Sequence, residues 1–190
     1  MTFRPARKLA SDRRGMAAVE FALIAPTLIV LVMGVLEMSF RFRAKEEVTR
    51  YVHQVCDLVS RERELTTDEI QAVYDAAIFL MTPLENTSEL DIDVSSIGYD
   101  DDAEPEMLWR RYAGSEVGLS LSDALELGAA GESVIRVGVR YRYESPITNI
   151  LGGTAMTLVV EAFARPRLVR VIPLDGQTEL NGGNAMVLGT

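Results

Sequence analysis

Apolar positions follow three regimes along the chain. Between Phe21 and Leu36 the run FALIAPTLIVLVMGVL carries no charge, and extending it to Phe40 admits only Glu37. About 20 apolar residues rising 1.5 Å each cross a hydrocarbon core about 30 Å thick. A buried helix of a soluble protein would show a polar stripe, which this segment lacks. The run therefore predicts a membrane-crossing helix over 16–40. Beyond it, Val48, Val52, Val55 and Val59 recur at i, i+4, i+7 and i+11, one face of the same helix continued to Ser60. Thr66 and Glu69 have capping-box spacing, which starts a second helix near Thr67. Its apolar set is Ile70, Val73, Tyr74, Ala77 and Leu80, and Pro83 follows its end.

After Pro83 the period changes to two. Leu90, Ile92 and Val94 alternate with Asp91 and Asp93, as in a half-buried strand. Met107–Tyr112, centred on Trp109, predicts a second strand and Glu132–Tyr143 a third, with Ile135, Val137, Val139, Tyr141 and Tyr143 on one face. Met156–Ala164 predicts the last, stopping at Arg165-Pro166-Arg167. Short strands with no helix between each pair point to an antiparallel sheet, against which the first helices would lay their apolar stripes. The fold class expected is α+β. From Asp175, with Gly182-Gly183, the tail 175–190 reads as a mobile loop.

Charge orients the helix. Five basic residues (Arg4, Arg7, Lys8, Arg13, Arg14) precede Met16 against one acid, Asp12. A short basic flank stays in the cytoplasm, so 1–15 is expected inside and 41–174 exported. Arg41, Arg43 and Lys45 weaken that bias without reversing it. From Arg41 onward 14 basic residues face 25 acidic ones, a net charge of −11. Nucleic acid is therefore excluded as a partner of the exported part. The single cysteine, Cys56, allows no intramolecular disulfide; it reads as a small apolar residue on a helix face, with a free thiol or a bond to another chain as the alternatives.

Glu20 separates the readings of an apolar N-terminal segment. A cleaved signal peptide would have a shorter apolar run and small residues before its cut. A twin-arginine signal at Arg13-Arg14 would continue with large apolar residues, not Gly-Met-Ala-Ala. A plain anchor leaves Glu20 unexplained, and a carboxylate in a membrane segment calls for a named partner. If the chain were cut after Gly15, Met16 would carry a new ammonium four residues before Glu20. Between parallel helices, one chain's ammonium could then meet its neighbour's carboxylate, offsetting two costly charges only when the subunits are in register.

The stretch RRGMAAVEFALIAPTLIVLVMGVLEMSF resembles the N-terminus of TadE-like proteins, the pseudopilins of tight-adherence pilus systems. Basic residues, glycine, four residues, glutamate and a long apolar helix form the class III prepilin pattern. The resemblance implies a cut between Gly15 and Met16 by a membrane prepilin peptidase, with Glu20 serving assembly. Phe21 stands where related pilins often carry tyrosine. Toward the C-terminus, the aromatic strand VRYRYESP, a spacer and a strand closing in ARPR also resemble this family in outline. The resemblance implies a pilin-like exported domain, other pilin or pseudopilin subunits and the peptidase as partners, and the bacterial inner membrane as location.

Other chemistry has little support. An EF-hand loop counted from Asp91 would need Gly at its sixth position and Glu at its twelfth, where Ser96 and Asp102 stand. Asp91, Asp93 and the run Asp100, Asp101, Asp102, Glu104 and Glu106 thus read as a solvated strand face and an acidic loop. His53 and Cys56 are three apart, but two ligands do not close a metal site. Arg136, Arg140 and Arg142 share the strand face opposite the apolar one. Paired with acids they form a solvated surface; unpaired, they would receive a neighbour's acidic loop. With no phosphate loop, nucleophile elbow or zinc motif, neither catalysis nor a cofactor is expected. The competing function is an uncleaved, membrane-anchored binding or adhesion module.

Overall fold

The computed structural model describes residues 14–80, 90–118, 120–151, 154–178 and 185–187. The apolar run and the valine stripe form one unbroken helix, α1 (Arg14–Ser60), about 70 Å long at 1.5 Å per residue. Pro26 lies within it, where it withholds one backbone hydrogen bond. The two halves of α1 have different surroundings. Val19, Leu23 and Val30 are 70%, 80% and 71% exposed. Ala44, Val48, Val52, Val55 and Val59 are buried against a sheet.

Four antiparallel strands make that sheet: β1 (Leu90–Tyr99), β2 (Pro105–Ala113), β3 (Ser133–Tyr143) and β4 (Met156–Ala164), in the order β4-β3-β1-β2. Leu90, Ile92, Val94, Trp109, Ile135, Val137, Val139 and Tyr141 form the face beneath α1. This is the period-two stripe meeting the period-3.6 stripe, an α+β packing. The second helix, α2 (Thr67–Leu80), opens on a formed capping box. Glu69's amide donates to the Thr66 hydroxyl at 3.2 Å, and the Thr66 amide donates to the Glu69 carboxylate at 2.8 Å. Ile70 is buried, with Val73 and Tyr74 half-buried against the core. Pro83 and the side chains of Ala77 and Leu80 lie outside the described residues.

The structure corrects two expectations. The tail from Asp175 is not simply a loop. Asp175 accepts hydrogen bonds from the Thr67 amide at 3.0 Å and the Thr67 hydroxyl at 2.6 Å, satisfying donors at the start of α2. Further on, β5 (Ala185–Val187) pairs in parallel with the open edge of β2. Gly182-Gly183 lie outside the described residues.

The other correction concerns the sheet's charged face, which is largely covered rather than solvated. Asp93 and Arg136 are both 0% exposed, with Arg110 beside them. The connection between β2 and β3 folds over them because Val117 and Ala124 bury themselves there and its carbonyls receive the arginines. Arg110 donates to the Val117 carbonyl at 2.8 Å and Arg136 to that of Gly118 at 2.9 Å. Gly114 makes the reversal with φ of 79°, at a point where a side chain would strike Asp91.

Inside this layer Asp93 accepts from Arg110 Nε at 2.9 Å and lies 3.7 Å from Arg136, which also pairs with Glu161 at 3.0 Å. Burial pushes the Asp93 carboxyl up, while Arg110 and then Arg136 pull it down without cancelling that rise. Arg140 pairs with Asp91 at 3.2 Å and Arg142 with Glu144 at 3.9 Å, so all three arginines of β3 have partners in their own chain. The acidic turn behaves as expected: Asp100 to Glu104 are exposed, and Asp100 accepts from the amides of Asp102 and Glu104.

Candidate functional site

The sequence-derived residues gather at the mouth of α1. Gly15 and Met16 stand at the start of the described helix, which runs from Arg14. Glu20 and Phe21 sit one turn further on. Met16 is 58% exposed, Phe21 is 69% exposed, and nothing lies within 4 Å of a side chain built at Gly15. Met16 and Glu20 are four apart and so share a helix face. Glu20 is exposed and has no ion-pair partner among the described residues. The structure therefore brings all four residues together and leaves them open to another molecule. Arg4, Arg7, Lys8, Asp12 and Arg13 lie outside the described residues.

Above the mouth runs an apolar shaft. Ala17 to Leu36 rises about 30 Å, the thickness of a bilayer's hydrocarbon core. α1 contains a segment long and apolar enough to cross a membrane, and the most apolar stretch is 0% buried by the rest of the chain. An isolated apolar cylinder of that size is costly in water, so it requires lipid or other helices around it.

At the shaft's upper end the structure adds a residue whose role sequence reasoning missed. Glu37 pairs with Arg41 one turn above it at 2.6 Å. Its carboxylate also accepts from the hydroxyls of Ser145 and Thr148, the latter at 2.9 Å. Those residues flank and begin α3 (Pro146–Leu151), a short helix between β3 and β4. Ser145 caps that turn by accepting the Thr148 amide at 3.0 Å. Glu37 thus clasps the globular domain to the shaft where the apolar run ends. The available signal was a lone acid in an uncharged stretch, which locates the residue but not its partners.

His53 and Cys56 are not brought together. His53 is exposed, whereas Cys56 points into the sheet with its sulfur 3.6 Å from the Ala162 carbonyl and 3.7 Å from that of Ile135. Burial, reinforced by the charge of Asp57, pushes its thiol up to about 12. Cys56 behaves as a small core residue. Among the described residues, no three His, Cys, Asp or Glu side chains are placed to hold a metal ion.

Comparison with known proteins returns one family. Residues 15–57 match the family model described as TadE-like protein. The match opens on Gly15, takes in Met16, Glu20, Phe21, the whole shaft and Glu37, and ends just short of the end of α1. The α1 segment from the mouth to the valine stripe is thus TadE-like, and the sheet lies outside the match. No curated protein and no solved structure matches the chain.

Proposed function

We propose that this chain is a membrane-anchored, pilin-like structural subunit, cut after Gly15 by a prepilin peptidase and used in assembling a tight-adherence pilus. One observation carries the reading: within a TadE-like segment, a bare apolar shaft of membrane length has an open carboxylate, Glu20, five residues past Gly15 and four past Met16 near the start of the described helix. Before cutting, the shaft sits in the inner membrane with the basic end in the cytoplasm and the acidic domain outside. After cutting, the Met16 ammonium and Glu20 supply opposite charges on one helix face, one turn apart. A parallel neighbour shifted by four residues, about 6 Å, sets one subunit's ammonium against the next one's carboxylate. The shaft then exchanges lipid for other helices, with pilin or pseudopilin subunits as partners. The role is mechanical and adhesive, with no catalysis by this chain.

Intact-mass measurement on chain extracted from membranes of cells that contain the peptidase tests this reading. The expected mass is that of a chain beginning at Met16, and Gly15→Trp should restore the full-length mass. A wild-type chain retaining residues 1–15 in such cells would overturn the processing step.

A further inference from the structure

Beyond the membrane segment the chain presents two complementary apolar features. The first is an open groove of about 270 Å³ between the end of α1 and α2, lined by Leu58, Ile70, Ala72 and Val73 with Glu62 and Glu69 at its rim. Leu58 is 56% exposed there, although it belongs to the half of α1 that packs on the domain. The groove falls just below the size of typical small-molecule pockets, about 300–1,000 Å³, and suits inserted side chains better. Its carboxylates are not neutralised locally: Glu62 has no ion-pair partner among the described residues, and Glu69 is engaged only by Thr66.

The second feature is Phe42, 62% exposed and about 9 Å beyond Leu36, outside the hydrocarbon layer that the shaft spans. Around it on the helix stand Arg43, Lys45 and Arg50 against two acids, Glu46 and Glu47. None of these three cations has an ion-pair partner among the described residues. An aromatic side chain ringed by net positive charge thus stands on the same chain as an apolar groove rimmed by negative charge.

Their relative placement excludes a contact within one chain. At 3.6 residues per turn, Phe42 and Leu58 are about 160° apart around α1 and about 24 Å apart along it. A knob and a socket on opposite sides cannot close a two-fold dimer with each other; they make a head-to-tail contact that repeats from subunit to subunit. The shift is also about four of the 6 Å steps that pairing of Met16 with Glu20 requires.

We propose that Phe42 of one subunit docks in the α1–α2 groove of a second copy lying about 24 Å lower on a parallel axis, with Arg43 and Lys45 facing Glu62 and Glu69. This contact rests on the assembly reading above and adds to it a specific joint between exported domains. Its geometry predicts an open series of linked subunits rather than a closed pair.

Disulfide trapping of the full-length double variant Phe42→Cys/Ala72→Cys, oxidised in intact cells, tests the joint. Cys56 is buried and its thiol stays protonated, and each single variant controls for it. The expected result is a ladder of dimers, trimers and higher species from the double variant, and no ladder from either single. Glu62→Arg should deplete the ladder, and adding Lys45→Glu should restore it. Filaments seen by electron microscopy, on a chain whose mass begins at Met16, with no Phe42–Ala72 cross-link would overturn the joint while leaving the assembly reading standing. Cross-links only to a different protein, or a band that stops at dimer, would also overturn it. An unprocessed wild-type chain with no filaments would count against both proposals.

Discussion

Thr148 donates its hydroxyl to the carboxylate of Glu37 at 2.9 Å across 111 positions of sequence, joining the connection after β3 to the point where the apolar shaft ends. With Ser145 on the other carboxylate oxygen and Arg41 beside it, Glu37 is largely enclosed, at 16% exposure. The clasp fixes the base of the domain against the shaft, so the length of helix available to a membrane or to other subunits is set by structure as well as by hydropathy.

Removing the carboxylate should therefore loosen one place. Hydrogen bonds to a charged acceptor contribute about 1.5–3 kcal/mol each and do not add simply. Glu37→Ala is expected to destabilise detergent-extracted protein by about 2–3 kcal/mol. Amide hydrogen exchange should quicken at α3 first, with the centre of β3 unaffected. Unchanged exchange at α3 would show that the clasp does not hold the domain.

The buried layer between β1, β2 and β3 makes a sharper comparison. Asp93→Ala leaves Arg110 and Arg136 facing each other in a site that is 0% exposed at Asp93, and breaking a buried pair in this way costs about 3–5 kcal/mol. Asp91→Ala, on the same strand face, breaks a half-exposed pair with Arg140 and should cost about 1 kcal/mol or less. Urea unfolding of both full-length variants separates them. Equal losses would mean that the layer is wetter than the structure indicates.

The same two aspartates show where the sequence stops being readable. The stripe Val48, Val52, Val55 and Val59 and the β4 bounds Met156–Ala164 came through intact, because each depends only on local period and burial on one face. Alternation correctly put Asp91 and Asp93 opposite the core, but could not say what covers that side. The cover is the connection after β2, where Val117 and Ala124 are buried while the larger Leu121 and Leu125 are exposed, so hydropathy there does not mark what is covered. Glu37 failed for a related reason: its domain partners, Ser145 and Thr148, are more than a hundred positions away. At the helix mouth the difficulty reverses. Spacing and family resemblance together marked Gly15, Met16 and Glu20 as candidates, yet Glu20 has no ion-pair partner among the described residues, and the one proposed lies on another subunit.

Asp175 supplies a pH dependence. The hydrogen bond from the Thr67 hydroxyl, then that from the Thr67 amide, outweighs the opposing effect of burial, and Arg111 at 4.0 Å adds to the pull, so the carboxyl titrates below the ordinary aspartate value. A depressed folded pKa gives stability that is fully present above the unfolded value, about 3.9, and is lost as pH falls through the folded one. Asp175→Asn should lower the melting temperature at pH 7 and shrink its fall between pH 5 and pH 3. A variant whose acid-side fall matched the wild type would remove Asp175 from the acid response.

Glu20 gives the prediction in which membrane and assembly energetics oppose each other. A carboxylate costs about 2.5–3.5 kcal/mol at the centre of a membrane helix and less near an end. Glu20→Ala should thus enter the membrane at least as well as the wild type, and Gly15–Met16 should still be cut, leaving a mature mass that differs from the wild type's only by the Glu-to-Ala side-chain difference. What the variant lacks is the one group able to offset a neighbour's Met16 ammonium as the shafts leave lipid. Assembled subunits, counted in sheared filament fractions, should therefore fall while membrane levels hold or rise. Glu20→Asp should recover part of the loss, because it restores the charge about one methylene short of its position. Normal filaments and surface attachment from Glu20→Ala would rule out the charge pairing and leave the shaft's apolar surface as the whole basis of assembly.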